Sequence, residues 1–219
     1  MATMAQSRPR VVAWERYAPL AGVVSVVLWV VGALIEQGAI KDKTPETLLA
    51  SYTGKEGRIL LGGLLWLIGT LVFFWFLGSL RATLAEAEGG VLRLTTIAFA
   101  GGVGAAICGL LFPGADMGAA ITDDKDLSAP TAEAIRVVGN AFFIGAEIAL
   151  AVLLIATALV VFRTRVLPVW IAWISVILGI VLIILPIGWA AVLFAFPIWV
   201  LIVTYLLWSG GPGVTRTPV

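Results

Sequence analysis

Long apolar runs separated by short polar stretches set the rhythm of this chain. Six runs reach membrane-crossing length: about Pro19–Ile35, Ile59–Leu80, Leu92–Pro113, Val137–Phe162, Pro168–Leu185 and Trp189–Trp208. About 20 mostly apolar residues, rising 1.5 Å each, cover the roughly 30 Å hydrocarbon layer of a bilayer. The last two runs nearly merge. Together, from Pro168 to Trp208, they hold 41 residues, too many for one crossing, and Pro186-Ile187-Gly188 has turn chemistry, so the split falls there. One long tilted helix, giving five spans, is the alternative. The pattern predicts an all-α, polytopic membrane helix bundle of six transmembrane helices. It forms one domain over residues 19–208, with polar tails at 1–18 and 209–219.

Two loops on the side away from the tails are long enough to hold structure. In the first, Thr44-Pro45-Glu46 supplies an N-cap, a proline at the first helical position and an acid in the first turn. Leu48, Leu49 and Tyr52 then share one face, and Gly54 ends the run. A short amphipathic helix is expected, lying at the outer interface or packed on the bundle. The second loop, about Gly114–Thr131, carries Asp123-Asp124-Lys125-Asp126. This run lacks the EF-hand spacing and reads as a solvated acidic turn. The first span has a long polar lead and no Ala-x-Ala cleavage signature, so it reads as retained rather than as a signal peptide. No internal repeat is apparent.

Composition sharpens the picture. Hydrophobic residues make up 61% of the chain and charged residues 12%, with a mean hydropathy of +1.07. Too few polar residues remain to cover a soluble core. There is no histidine and only one cysteine, Cys108. These counts exclude histidine-ligated haem, Ser-His-Asp and Cys-His catalytic sets, intrachain disulfides, CxxC redox pairs and Fe–S clusters. No cofactor and no metal site is expected. A net charge of +1 offers no basic field for nucleic acid. The expected partners are membrane lipids, further copies of the chain or another membrane protein.

Charge is sorted by loop. Arg8, Arg10, Arg16, Arg81, Arg93, Arg163, Arg165 and Arg216 fall on one side. Lys41, Lys43, Lys55, Arg58, Lys125 and Arg136 fall on the other, with most of the acids. The positive-inside rule then places both termini in the cytoplasm.

Glu147 breaks this sorting. It follows Arg136 by 11 residues and precedes Arg163 by 16, which is about 16 and 24 Å along a helix. A carboxylate at that depth has to be neutralised or paired. Arg136, Asn140 and Glu147 form one helical stripe, expected to face the bundle interior or a wet cavity. Two readings stand side by side. In one, Glu147 handles a proton, cation or ligand. In the other, it hydrogen-bonds a neighbouring helix through Thr70, Ser175 or Ser25. Glu36 and Asp116, near outer helix ends, are candidates for the mouth of the same cavity.

In the third run, Gly101, Ala105 and Gly109 recur every four residues, and so do Ala98, Gly102 and Ala106. This spacing lets helix backbones approach closely, in the bundle or across a homodimer. Pro197 should kink the last helix. Trp29 and Trp199 lie deep, where indoles line lipid or prenyl pockets or simply pack.

Three stretches carry a family resemblance. They are Thr44-Pro45-Glu46-Thr47-Leu48-Leu49-Ala50-Ser51-Tyr52 continuing to Gly57-Arg58, then Phe76-Leu77-Gly78-Ser79-Leu80-Arg81 with Glu86-Ala87-Glu88-Gly89-Gly90, and Leu167-Pro168-Val169-Trp170-Ile171-Ala172-Trp173. Together they resemble a set of small six-span integral membrane proteins of actinobacteria, of unknown function. The resemblance implies a bacterial plasma membrane and transfers no catalytic residue. With no catalytic set in view, a non-enzymatic protein is expected: an accessory subunit, a lipid-associated protein or a small-ligand binder. The alternative is a small transporter or channel using Glu147 in an outward-open cavity.

Overall fold

The computed structural model describes residues 13–40, 44–122 and 126–210, and among these there is no strand. A 3-10 helix, Ala13–Leu20, leads into α1 (Ala21–Gln37), the short α2 (Pro45–Gly54) and the long rods α3 (Glu56–Glu88), α4 (Arg93–Ala120) and α5 (Ala129–Thr164). Then come α6 (Val169–Ile183), α7 (Leu185–Ala190), a π turn over Ala191–Ala195, and α8 (Phe196–Gly210). Much of the acidic run (Asp123, Asp124 and Lys125) lies outside the described residues, as do Lys41, Asp42 and Lys43.

Each boundary has a local cause. The α2 cap is a reciprocal box: Thr47 N donates to Thr44 Oγ1 at 3.3 Å, and Thr44 N donates to Thr47 Oγ1 at 3.0 Å. Ser128 caps α5, accepting from Thr131 N at 3.4 Å. Between α3 and α4 the chain reverses at Gly89 and Gly90, whose φ values of 59° and 61° suit residues without a Cβ. The Glu88 carboxylate accepts from Leu94 N and Thr95 N, so it satisfies the exposed amides that open α4.

Among the described residues, five helices are long and apolar enough to cross a membrane: Tyr17–Gln37, Glu56–Glu88, Arg93–Ala120, Ala129–Thr164 and Gly188–Ser209. The helix breaks at Ile184, ahead of the split expected at Pro186-Ile187-Gly188, and that stretch is not a turn but part of helix α7. The break leaves α6 with 15 residues, about 22 Å of rise. Val23, Val27, Leu61, Leu64, Leu71, Ile148, Ile177 and Ile180 are exposed around the bundle. An apolar surface on apolar rods fits a membrane-embedded protein.

Close contacts fix the helix directions. Gly32 lies against Gly62, and Gly69 against Ser25, so α1 and α3 are antiparallel. Gly63 meets Met117 while Gly102 meets Leu77, and Gly101 meets Leu153 while Gly139 meets Ala115; α4 therefore runs opposite to both α3 and α5. Gly22 packs on Thr204 and Val200, and Trp29 on Phe196, so α8 runs opposite to α1. The start of α1 and the end of α8 thus lie at the same end of the bundle, with α2 at the other. Two cores follow. A large one joins Phe73, Phe76, Leu150, Leu154, Ile171 and Trp199, and a smaller one under α2 joins Leu48, Tyr52, Ile59, Ala119 and Ala132.

Candidate functional site

Three of the five polar candidates meet at the α2 end. Arg136 of α5 donates from Nη1 to Asp116 Oδ2 of α4 at 2.6 Å. Tyr52 of α2 donates its phenol to the other carboxylate oxygen, Asp116 Oδ1, at 2.5 Å. Glu36, at the end of α1, lies in the field of both charges. Tyr52, Asp116 and Glu36 are all at most 1% exposed. Glu36 Oε1 has no hydrogen-bond partner among the described residues. Burial, then the Asp116 carboxylate beside it, pushes the Tyr52 phenol well above its ordinary range, so it stays a donor. Below, the Arg136 guanidinium lies 5.6 Å above the Phe112 ring.

Asn140 and Glu147 do not join this cluster. Asn140 is exposed, whereas Glu147 is 2% exposed, although both lie on the same face of α5. The difference lies in what covers that face. Gly179 of α6 packs on Ala151 and Ile155, and Gly188 of α7 packs on the Glu147 carboxyl. That cover ends near Glu147, while α5 runs on to Ala129, about 27 Å further. The expected stripe along one wet cavity is therefore not formed. Nor is Glu147 bonded to the three expected hydroxyls. Thr70, Ser175 and Ser25 each donate to the carbonyl four residues back in their own helix.

The small-residue stripe of α4 divides by role. At Gly101 a Cβ would stand 2.7 Å from Leu153 N, and at Gly102 it would stand 2.5 Å from Leu77 Cδ2, so both are close-packing positions. At Gly109 a Cβ would meet nothing nearer than 3.9 Å. Gly109, Ala105 and Ala106 instead form one wall of an apolar cavity of about 70 Å³. A single water needs about 10–15 Å³ on the same measure, so the space holds roughly five non-hydrogen atoms.

The other walls come from α1, α3, α5, the π turn and α8: Trp29, Trp66, Phe73, Leu150, Val192, Phe196 and Pro197. Trp29 packs 5.0 Å from Phe73 and 6.3 Å from Phe196, ring centre to ring centre. Every side-chain donor in the wall is already engaged. Trp29 Nε1 donates to Thr70 Oγ1, Thr70 Oγ1 to Trp66 O, and Trp66 Nε1 to Gly109 O, each at 3.0 Å. Val30 and Ala33 of α1 also line the cavity, and Val30 is itself exposed on the apolar perimeter. Sequence reasoning singled out Trp29 but missed the cavity. The available signal was a deep tryptophan with Trp66 and Phe73 at helical spacing on the next rod. Trp199, the other deep indole, is a packing residue that donates to Ser175 Oγ at 2.9 Å.

No protein-family model, curated protein or solved structure matches this chain. Its function is read from its own chemistry.

Proposed function

We propose that this is a non-enzymatic membrane protein that holds one end of an apolar chain molecule drawn from the surrounding bilayer. The aromatic cavity carries the reading. It is apolar, its side-chain donors are internally satisfied, and one of its lining residues, Val30, is exposed on the apolar perimeter of the bundle. A space lined this way stays dry and prefers hydrocarbon to water. Its size admits about one five-carbon segment, with the rest of the molecule remaining outside along α1. In this reading six helices cross a bacterial plasma membrane, with both termini cytoplasmic and α2 on the outer face. The buried Tyr52–Asp116–Arg136 set then serves as the clamp that holds α2 over the bundle.

Purification in a mild detergent, followed by extraction and mass spectrometry of retained lipid, tests this. About one chain molecule per protein is expected. Gly109→Leu should fill the cavity without clash and abolish retention while leaving helix content unchanged. Equal retention by the two proteins would overturn the proposal.

A second reading, a transporter using Glu147, rests on one observation. That carboxyl sits at the corner where α6 breaks and α7 begins, and membrane transporters place coupling ions at broken helices. Glu147→Gln would then abolish a proton- or cation-linked flux in vesicles, whereas unchanged flux would remove the reading.

A further inference from the structure

The end of the bundle opposite α2 holds a second cavity, of about 420 Å³ against about 70 Å³ for the aromatic one. It lies between the α3–α4 reversal and the last turn of α5. Two guanidinium groups stand in its wall, those of Arg93 at the start of α4 and Arg163 near the end of α5. Both residues are exposed. Neither has a hydrogen bond or an ion pair among the described residues. The single acid in the wall is Glu88. Its two carboxylate oxygens accept from Leu94 N at 2.9 Å and Thr95 N at 2.8 Å, and it acts on Arg163 only at longer range. Thr164, also in the wall, donates to Val160 O at 2.9 Å. The two cations are therefore the uncommitted chemistry of this cavity.

The surface next to them is apolar. Ile97 follows Arg93 by four residues and Leu159 precedes Arg163 by four, so each lies one helical turn further into the bundle on the same face as its arginine. Both are exposed, and Val91, in the cavity wall, is 92% exposed. A soluble anion gains nothing from such a surface, whereas an anion carried on hydrocarbon chains does. We infer that this cavity binds the headgroup of an anionic phospholipid, with its phosphate on Arg93 and Arg163 and its acyl chains along Ile97 and Leu159. The planar fork of arginine matches phosphate oxygens two at a time, and basic pockets between membrane helices take anionic headgroups. The volume falls within the range of about 300–1,000 Å³ usual for small-ligand sites. A choline headgroup brings an ammonium that cancels the phosphate charge and is repelled by the arginines. The inference rests on the chain being embedded in a bilayer and is independent of the aromatic cavity.

The test uses the full chain in nanodiscs holding equal parts of phosphatidylglycerol and phosphatidylcholine with identical acyl chains. Native mass spectrometry reads which lipid stays on the protein. Phosphatidylglycerol should exceed phosphatidylcholine by about tenfold or more, the size expected for two arginines on one anionic headgroup. Equal amounts on the wild type, a comparison that needs no variant, would overturn the proposal. Arg93→Gln with Arg163→Gln should bring the two lipids within about twofold of each other. Arg81→Gln with Arg165→Gln removes the same charge at the same end of the bundle but outside this wall, and should keep the preference. An equal fall in both double variants would show a general surface attraction and overturn the site. Glycerophosphoglycerol, the same headgroup without chains, should leave the ratio unchanged when added at the concentration of the lipid. Displacement of the lipid by it would overturn the lipid assignment in favour of a soluble phosphate ester. Gly109→Leu, which fills the aromatic cavity, should also keep the preference. Loss of the preference there would put the anionic lipid in the aromatic cavity and overturn this site, whereas failure of the aromatic-cavity reading alone leaves the preference intact.

Discussion

The compartment under α2 and the cavity at Trp29 place polar atoms inside the same bundle and satisfy them differently. Under α2 the polar groups are side chains from separate rods, and they hold one another: a guanidinium and a phenol on the two oxygens of Asp116. Around the cavity, the indole and hydroxyl donors of Trp29, Thr70 and Trp66 are all paired within the bundle. The first arrangement binds α2, α4 and α5 together and offers a ligand little. The second leaves an apolar space whose side-chain donors are already paired. Charge density alone is therefore a poor guide in this protein: the buried charges pair with one another, while the cavity proposed as the binding site is almost wholly apolar.

Arg136→Leu should give the largest effect. It leaves the Asp116 carboxylate buried without its guanidinium, and loss of one partner of a buried pair costs about 3–5 kcal/mol. Thermal or denaturant unfolding in detergent reads this directly. A change below about 1 kcal/mol would show that the α2 end does not depend on the pair.

Tyr52→Phe should cost about 1–2 kcal/mol, for one hydrogen bond to a buried charged acceptor. It also has a pH signature. The folded phenol is held above its ordinary value near 10, so the folded state disfavours ionisation. The stability it contributes is fully present below about pH 10 and falls above that, as the unfolded chain's tyrosine ionises first. The wild-type minus Tyr52→Phe difference should therefore be flat from pH 7 to about 10 and shrink beyond. A difference that shrinks already near pH 8 would contradict the burial argument.

Gly109→Leu should have the smallest effect on stability, within about 1 kcal/mol and towards greater stability, because leucine favours helix and the space is vacant. A loss above about 2 kcal/mol would mean that the cavity is too small for a side chain and hence for a ligand.

Much of the fold was legible because membrane helices announce themselves locally. Apolar length and the Thr44 cap act within a few residues, and the cap appears where the pattern placed it. The pairing of Arg136 with Asp116 spans 20 residues across a hairpin, and local periodicity does not report which faces meet. Tyr52 was legible as a member of the buried face of α2, but not as a donor to α4. Asn140 and Glu147 share one face in sequence yet differ in burial because α6 stops short, a property of a neighbouring helix rather than of α5. The cavity was the least legible. It exists because Gly109, Ala105 and Ala106 face large rings that do not fill the gap, and only the packed bundle reveals which small residues are covered and which are not.

The most direct measurement is an experimental structure of the protein purified from its own membrane without added ligand. The account predicts elongated density entering past Val30 and lying between Trp29 and Trp66, and predicts its absence in Gly109→Leu. A cavity collapsed by Phe196 or filled with ordered water would contradict it.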